Sequence, residues 1–277
     1  METVPIQLPD STVTPIRLFP GPNEDAPVVV ILPGLGIPAG YYDPIAHAIV
    51  DAGFNVAVGE LRGQGDSRPR PSASSRYGYQ ELVSVDCPAT FEVVRERFPT
   101  STPYLMGHSM GGQLAVMYAS RIRGRLGGLI LVASGSPYHR GFPGVRSPGL
   151  YLGSSAMAVT ANIAGFWPGD RANLGGFGRQ SKVLISDWAR FARTGRIEPA
   201  GADIDYEERI ARLTLPVLSL TVEADDMAPR RSAKNLVNKL SGAQLTLQHV
   251  DEPLGHNGWI RKPAAVTERV VAWLRDR

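Results

Sequence analysis

The sequence predicts an α/β protein: a mostly parallel, doubly wound sheet with one inserted segment. Three observations carry this prediction. Short β-branched apolar runs alternate with stretches of helical periodicity. The run Val28-Val29-Val30-Ile31-Leu32 is apolar throughout, as expected of a strand covered on both faces. The alternation stops near Ser136 and resumes near Leu215.

The elements follow in order. Val28 to Leu32 is a strand ending at Pro33-Gly34. Tyr42 to Ala52 spaces its apolar residues as a helix does and stops at Gly53. Phe54 to Val58 is the next strand. Glu81 to Phe98 is helical, with Leu82, Val85, Phe91 and Val94 on one side. Thr102 to Met106 is a short strand, a helix opens at Met110, and Gly128 to Leu131 and Val132 form another strand. Residues 136–205 are rich in Gly, Pro and aromatics and read as an irregular inserted cap; residues 1–135 and 206–277 form the core. Leu215 to Val222 and Gln244 to Val250 are further strands. Ala264 to Arg277 closes the chain as an amphipathic helix.

Composition excludes several classes. With 43% hydrophobic and 20% charged residues, the chain has an ordinary globular balance and can bury a large core. The net charge of +3 comes without any block of like charges, so no nucleic-acid partner is expected. Arg121, Arg123 and Arg125 read as a solvated face or a helix C-terminus. The one cysteine, Cys87, cannot form an internal disulfide and reads as a buried structural thiol. No basic apolar leader and no long apolar run is visible. The expectation is therefore a cytoplasmic protein without a stable membrane anchor; the oligomeric state is not legible.

Gly107-His108-Ser109-Met110-Gly111 matches G-x-S-x-G between a strand and a helix. A serine hydroxyl is a poor nucleophile unless a base takes its proton and the backbone holds it out toward substrate. A sharp strand-to-helix turn does the second job, and its crowding favours glycine on both sides. The turn also places the Met110 N–H at a helix N-terminus, where orphan amides stabilise negative charge. The second such donor is expected from the loop "PGLG", at the Leu35 N–H.

Of five histidines, His256 in "PLGHNGW" follows the last strand, with Gly255 and Gly258 leaving it room; it is the expected base. His108 is expected to point away from the pocket and pack. The orienting acid is sought after the preceding strand, where "VEADDMAP" offers Glu223, Asp225 and Asp226; Asp225 is preferred over Asp226. Phe142, Leu150, Tyr151, Leu152, Met157, Phe166 and Trp167 supply apolar side chains for a pocket or for the inserted segment's own small core. Phe166 and Trp167 are selected as substrate-binding.

The motifs "GHSMGG", "PGLG", "ELRGQGDS", the paired aspartates and "GHNGW" resemble the α/β-hydrolase superfamily from about Val28 to the C-terminus. With its Gly/aromatic insertion the chain also looks like a group of predicted α/β hydrolases that implies no settled substrate. Two positions depart from the pattern: Pro33 stands where many relatives have histidine, and Glu60 where aspartate is usual. The resemblance implies acyl transfer through Ser109, Asp225 and His256, with no metal or organic cofactor. The substrate expected is a carboxylic ester of a small or medium apolar acyl group. A thioesterase, lactonase, acyltransferase or carbon–carbon bond hydrolase would use the same triad. A ligand-binding protein without catalysis is the alternative of a different class.

Overall fold

The computed structural model describes residues 1–122, 126–171 and 177–277. Arg123 and Arg125, read above as a solvated face, lie outside the described residues, as do 172–176 of the inserted segment. Eight strands form one sheet: β1 (Glu2–Gln7), β2 (Val13–Phe19), β3 (Val28–Leu32), β4 (Asn55–Gly59), β5 (Pro103–His108), β6 (Gly128–Val132), β9 (Pro216–Val222) and β10 (Gln244–Val250). Their order is β1-β2-β4-β3-β5-β6-β9-β10. β1 pairs antiparallel with β2 and β2 with β4; every later pair is parallel. The sheet is thus mostly parallel, as expected.

Helices cover both faces: α1 (Asp43–Asp51), α2 (Tyr79–Glu81) continuing through a π turn into α3 (Cys87–Arg97), α4 (Met110–Arg121), α7 (Tyr206–Ala211), α8 (Arg230–Val237), α9 (Gly255–Arg261) and α10 (Ala264–Arg275). The apolar run of β3 explains why two faces are needed. Val28, Val30 and Leu32 pack into one core with Phe91, Leu114 and Leu236. Val29 and Ile31 pack into the other with Ile45, Val266 and Trp273. Successive residues of a strand point to opposite faces, so an all-apolar strand needs cover on both.

The N-terminal hairpin was not anticipated. Its signal is the alternation of buried Thr14, Ile16 and Leu18 with less buried Val13, Pro15 and Arg17. That period-two pattern suits a strand near the sheet edge.

Between β6 and β9 the chain forms α5 (Arg146–Ala164), a two-stranded antiparallel ribbon of β7 (Phe166–Pro168) and β8 (Arg179–Ser181), and α6 (Lys182–Thr194). This corrects the expectation of irregular structure; the Gly and Pro residues obscured two helices. Buried Asp187 of α6 accepts the Ala200 N–H at 2.8 Å and the Tyr79 N–H at 3.2 Å, tying α6 to α2. Arg121 is not simply solvated. Its guanidinium meets Asp203 at 2.6 Å and the Tyr206 hydroxyl at 2.8 Å. Cys87 is free and buried. No helix among the described residues is long and apolar enough to cross a membrane.

Glu60 follows β4 and is buried. Its Oε2 accepts the Ala39 N–H at 3.1 Å and the Asp66 N–H at 3.3 Å, joining the loop after β3 to the turn after β4. Burial pushes its carboxyl from the ordinary 4.5 up to about 7. A raised carboxyl binds its proton longer in the folded state than in the unfolded one. Its contribution is therefore complete below about pH 4.5 and lost as pH rises through about 7. Glu60→Gln should flatten that decline. The difference in melting temperature between variant and wild type, read from pH 4 to 8, should move in favour of the variant as pH rises.

Candidate active site

The site is built at the carboxyl ends of β3, β5, β9 and β10. At the end of β5 the chain turns sharply into α4, and Ser109 sits at the turn with φ 54° and ψ −120°. Ordinary side chains avoid this backbone region. Close packing on both sides enforces it. A Cβ on Gly107 would lie 2.3 Å from the Gly112 Cα, and one on Gly111 would lie 2.1 Å from the Leu32 carbonyl oxygen. Both neighbours are backbone, so no rotamer change relieves the clash.

Ser109 also stands at the N-cap of α4, yet its side chain caps nothing. Capping serines usually accept a hydrogen bond from the first turn. Here the turn aims the hydroxyl at His256 instead, and Oγ–H donates to Nε2 at 2.9 Å. Ser134, at the end of β6, donates to the Ser109 carbonyl at 2.7 Å and anchors the turn from below.

His256 lies in the first turn of α9 rather than in a free loop. Gly255 before it has φ +62°, which glycine adopts without strain. Gly258, expected to make room, has no close neighbour beyond the Leu254 side chain. The His256 Nδ1–H donates to both Asp225 oxygens, at 2.9 and 3.0 Å. This fixes the tautomer that leaves Nε2 free to accept. Asp225 Oδ1 also accepts the N–H groups of Met227 (2.9 Å) and Ala228 (2.8 Å).

The two adjacent aspartates follow a turn at Ala224, which has φ 62°. Asp225 turns inward, its side chain 0% exposed, whereas Asp226 is 72% exposed and pairs with Arg146 at 2.6 Å. Glu223 pairs with His249 at 3.0 Å. The geometry therefore selects Asp225 as the partner of His256.

His108 is buried and does occupy a packed position away from the cavity. Its surroundings form a line of hydrogen bonds that the sequence did not reveal. The Gly34 N–H donates to the Tyr42 hydroxyl at 2.8 Å, and that hydroxyl donates to His108 Nδ1 at 2.7 Å. His108 Nε2–H then donates to the His256 carbonyl at 3.1 Å. Burial, aided by neighbouring His256, holds the His108 imidazole well below its usual range, so it stays neutral and can accept at one nitrogen while donating at the other. The loop after β3, the turn at Ser109 and the His256 backbone are thereby joined.

An apolar cavity of about 630 Å³ opens beside Ser109. Leu35 and Met110 line it with Ser109, and among the described residues neither N–H has a protein acceptor. The inserted segment contributes Phe142, Leu150, Met157, Trp167 and Trp188. Trp167 lines the cavity and also packs against Ala161 and Ile185. Phe166, paired with it in the sequence reading, does not line the cavity. Its ring lies outside the lining with the Arg179 guanidinium 4.7 Å above it, because β7 turns alternate side chains to opposite faces. Tyr151 and Leu152 also face away from the cavity. Sequence reading missed Phe177, Trp188 and Met227, whose approach depends on how the segment folds back.

The hydrogen-bond line yields a stability prediction. Tyr42→Phe leaves the Gly34 N–H and His108 Nδ1 without their buried partner. It should cost about 1–3 kcal/mol, read as a lowered melting temperature.

Residues 23–162 match the family model described as "Serine aminopeptidase, S33". A stretch of 142 residues is 30% identical to a proline iminopeptidase of Chitinophaga pinensis, covering 50% of this chain and 46% of that protein. The chain thus matches about half the length of that relative. Two solved structures share the fold over nearly their whole length. A bromoperoxidase from Bacillus anthracis has TM-score 0.65 and 16% identity, with 99% of this chain and 100% of that one covered. An esterase from Exiguobacterium antarcticum has TM-score 0.64 and 19% identity, with 98% and 99% covered. By its family model and its fold, the chain belongs to the serine aminopeptidase S33 family of α/β hydrolases.

Proposed function

We propose that this hydrolase cleaves a carboxylic ester of a small or medium apolar acyl group through an acyl-enzyme on Ser109. One observation carries the reading: the unbroken line from Asp225 through His256 to Ser109 ends at an apolar cavity. His256 Nε2 accepts the Ser109 proton as Oγ attacks the ester carbonyl carbon. The tetrahedral oxyanion is received by the N–H groups of Leu35 and Met110, the latter at the N-terminus of α4. The alkoxide leaves with the proton from His256. Water then attacks the acyl-enzyme with His256 as base, and the acid departs. Asp225 holds the imidazole and stabilises its cationic form. This route asks for no metal or organic cofactor.

A second reading comes from the curated relative, a proline iminopeptidase. Such an activity needs a carboxylate to receive the substrate's terminal ammonium. Among the described residues lining the cavity, Asp226 is the one acid, and Arg146 already occupies it. That favours an uncharged acyl group. A p-nitrophenyl ester series set beside prolyl p-nitroanilide tests the choice: faster turnover of the anilide would move the assignment to the iminopeptidase.

Two expected outcomes follow from the geometry. Asp225→Asn should favour the wrong imidazole tautomer and lower turnover by about 10⁴-fold, while Asp226→Asn should be mild. Steady-state rates with one soluble ester check both; the reverse ranking would move the acid to Asp226. Trp167→Ala should shift chain-length preference by roughly 10–200-fold in relative kcat/KM if about one or two methylenes of cavity are gained. Phe166→Ala should leave the preference unchanged. Uniform losses across the ester series with a lowered melting temperature would instead make Trp167 a support of the segment.

A further inference from the structure

Helix α5 has two apolar faces, and the protein covers only one. Leu150, Ser154 and Met157 line the cavity, and Ala161 packs against Trp167 and Ile185. At helical spacing, Val145, Pro148, Leu152, Val159 and Ile163 fall on the opposite side. Four of them stand far out of the protein: Val145 is 86% exposed, Leu152 66%, Val159 59% and Ile163 83%. No charged residue occurs from Ser147 to Ala164. A helix that lies on the surface normally turns a polar face outward. An apolar stripe running the length of a 19-residue helix, roughly 28 Å at the usual rise, marks an interaction surface.

Charge indicates what lies against it. Residues 136–205 hold eight Arg and Lys against five Asp and Glu. That excess of three equals the net charge of the whole chain, and the remainder is balanced at 21 of each. The cations scattered along the sequence are therefore unevenly balanced in the fold. Exposed Arg140 stands just before the N-terminal end of α5 and exposed Arg171 follows β7, after its C-terminal end, whereas Arg146 is held by Asp226 at the cavity. A second copy of the chain would bring the same positive excess against itself. An anionic lipid surface offers apolar chains to the stripe and negative headgroups to the arginines at its ends.

We propose that the outward face of α5 docks reversibly on an anionic lipid surface, lying in the interfacial plane. Docking is interfacial rather than spanning: no helix among the described residues is long and apolar enough to cross a membrane. The apolar side chains of the stripe enter the headgroup region, and the arginines hold the helix parallel to it. The cavity beside Ser109 lies on the other face of the same helix, so docking brings the site close to lipid-borne esters.

Flotation with vesicles tests the proposal. Ser109→Ala protein is mixed with phosphatidylcholine vesicles with or without phosphatidylglycerol, so binding is read without hydrolysis and independently of the esterase reading. Protein should float with the anionic vesicles, less with neutral ones, and less again at high salt. Adding Leu152→Ser and Ile163→Ser should weaken partition by on the order of tenfold or more. The same pair in a Ser109-intact background should keep the wild-type melting temperature and rate on a soluble ester. Arg140→Glu with Arg171→Glu should weaken binding to anionic vesicles alone. Folded protein that stays in solution, or a double variant that floats like its parent, overturns the proposal. A dimer in sedimentation equilibrium that the double variant breaks overturns it in favour of a second copy.

Discussion

The turn from β5 into α4 is the constraint on which the site depends. Gly107 and Gly111 touch backbone where any Cβ would collide, and Ser109 between them takes a left-handed conformation. That strain has two effects. It withdraws the serine hydroxyl from capping its own helix, and it leaves the first amides of α4 without the cap that would occupy them. The proposed nucleophile and a proposed donor for negative charge thus share one piece of backbone. The central sheet supplies the rigidity that keeps the strain in place, since β5 is hydrogen-bonded on both sides, to β3 and β6.

A second feature aligns the parts that the turn does not control. The loop after β3, the turn itself and α9 come from distant parts of the chain. Tyr42 and neutral His108 join them through hydrogen bonds to Gly34 and to the His256 carbonyl. Trp259 donates to the same carbonyl at 2.9 Å, so the His256 backbone is held from two directions. Glu60 secures the loop after β3 from its far end through Ala39. The position that departs from the usual aspartate is therefore a tether for the loop that carries Leu35.

Much of this was legible in the sequence, for a local reason. The glycines around Ser109 report a backbone constraint written within five residues, and the apolar run of β3 reports burial on both faces. The partners of Ser109 followed from chain order along a parallel sheet. What stayed illegible depends on distant contacts. Asp225 and Asp226 are chemically identical, and only the folded loop after β9 turns one inward to His256 and the other out to Arg146. Phe166 and Trp167 are both aromatic, and strand alternation in β7 separates them. Helix α5 was hidden because its apolar residues fall on two faces rather than one, with Pro148, Gly149 and Gly153 weakening the helical signal. The network of His108 and Tyr42 spans 66 residues of sequence and leaves no local pattern.

The account stands on Ser109 as the activated nucleophile. A fluorophosphonate reagent reads that property directly: an activated serine oxygen attacks its phosphorus, displaces fluoride and is left phosphonylated. Intact mass and peptide mapping should find one adduct, on the peptide holding Ser109, and His256→Ala should abolish its rapid formation. A folded protein that forms no adduct, or forms it at another residue, would contradict the account.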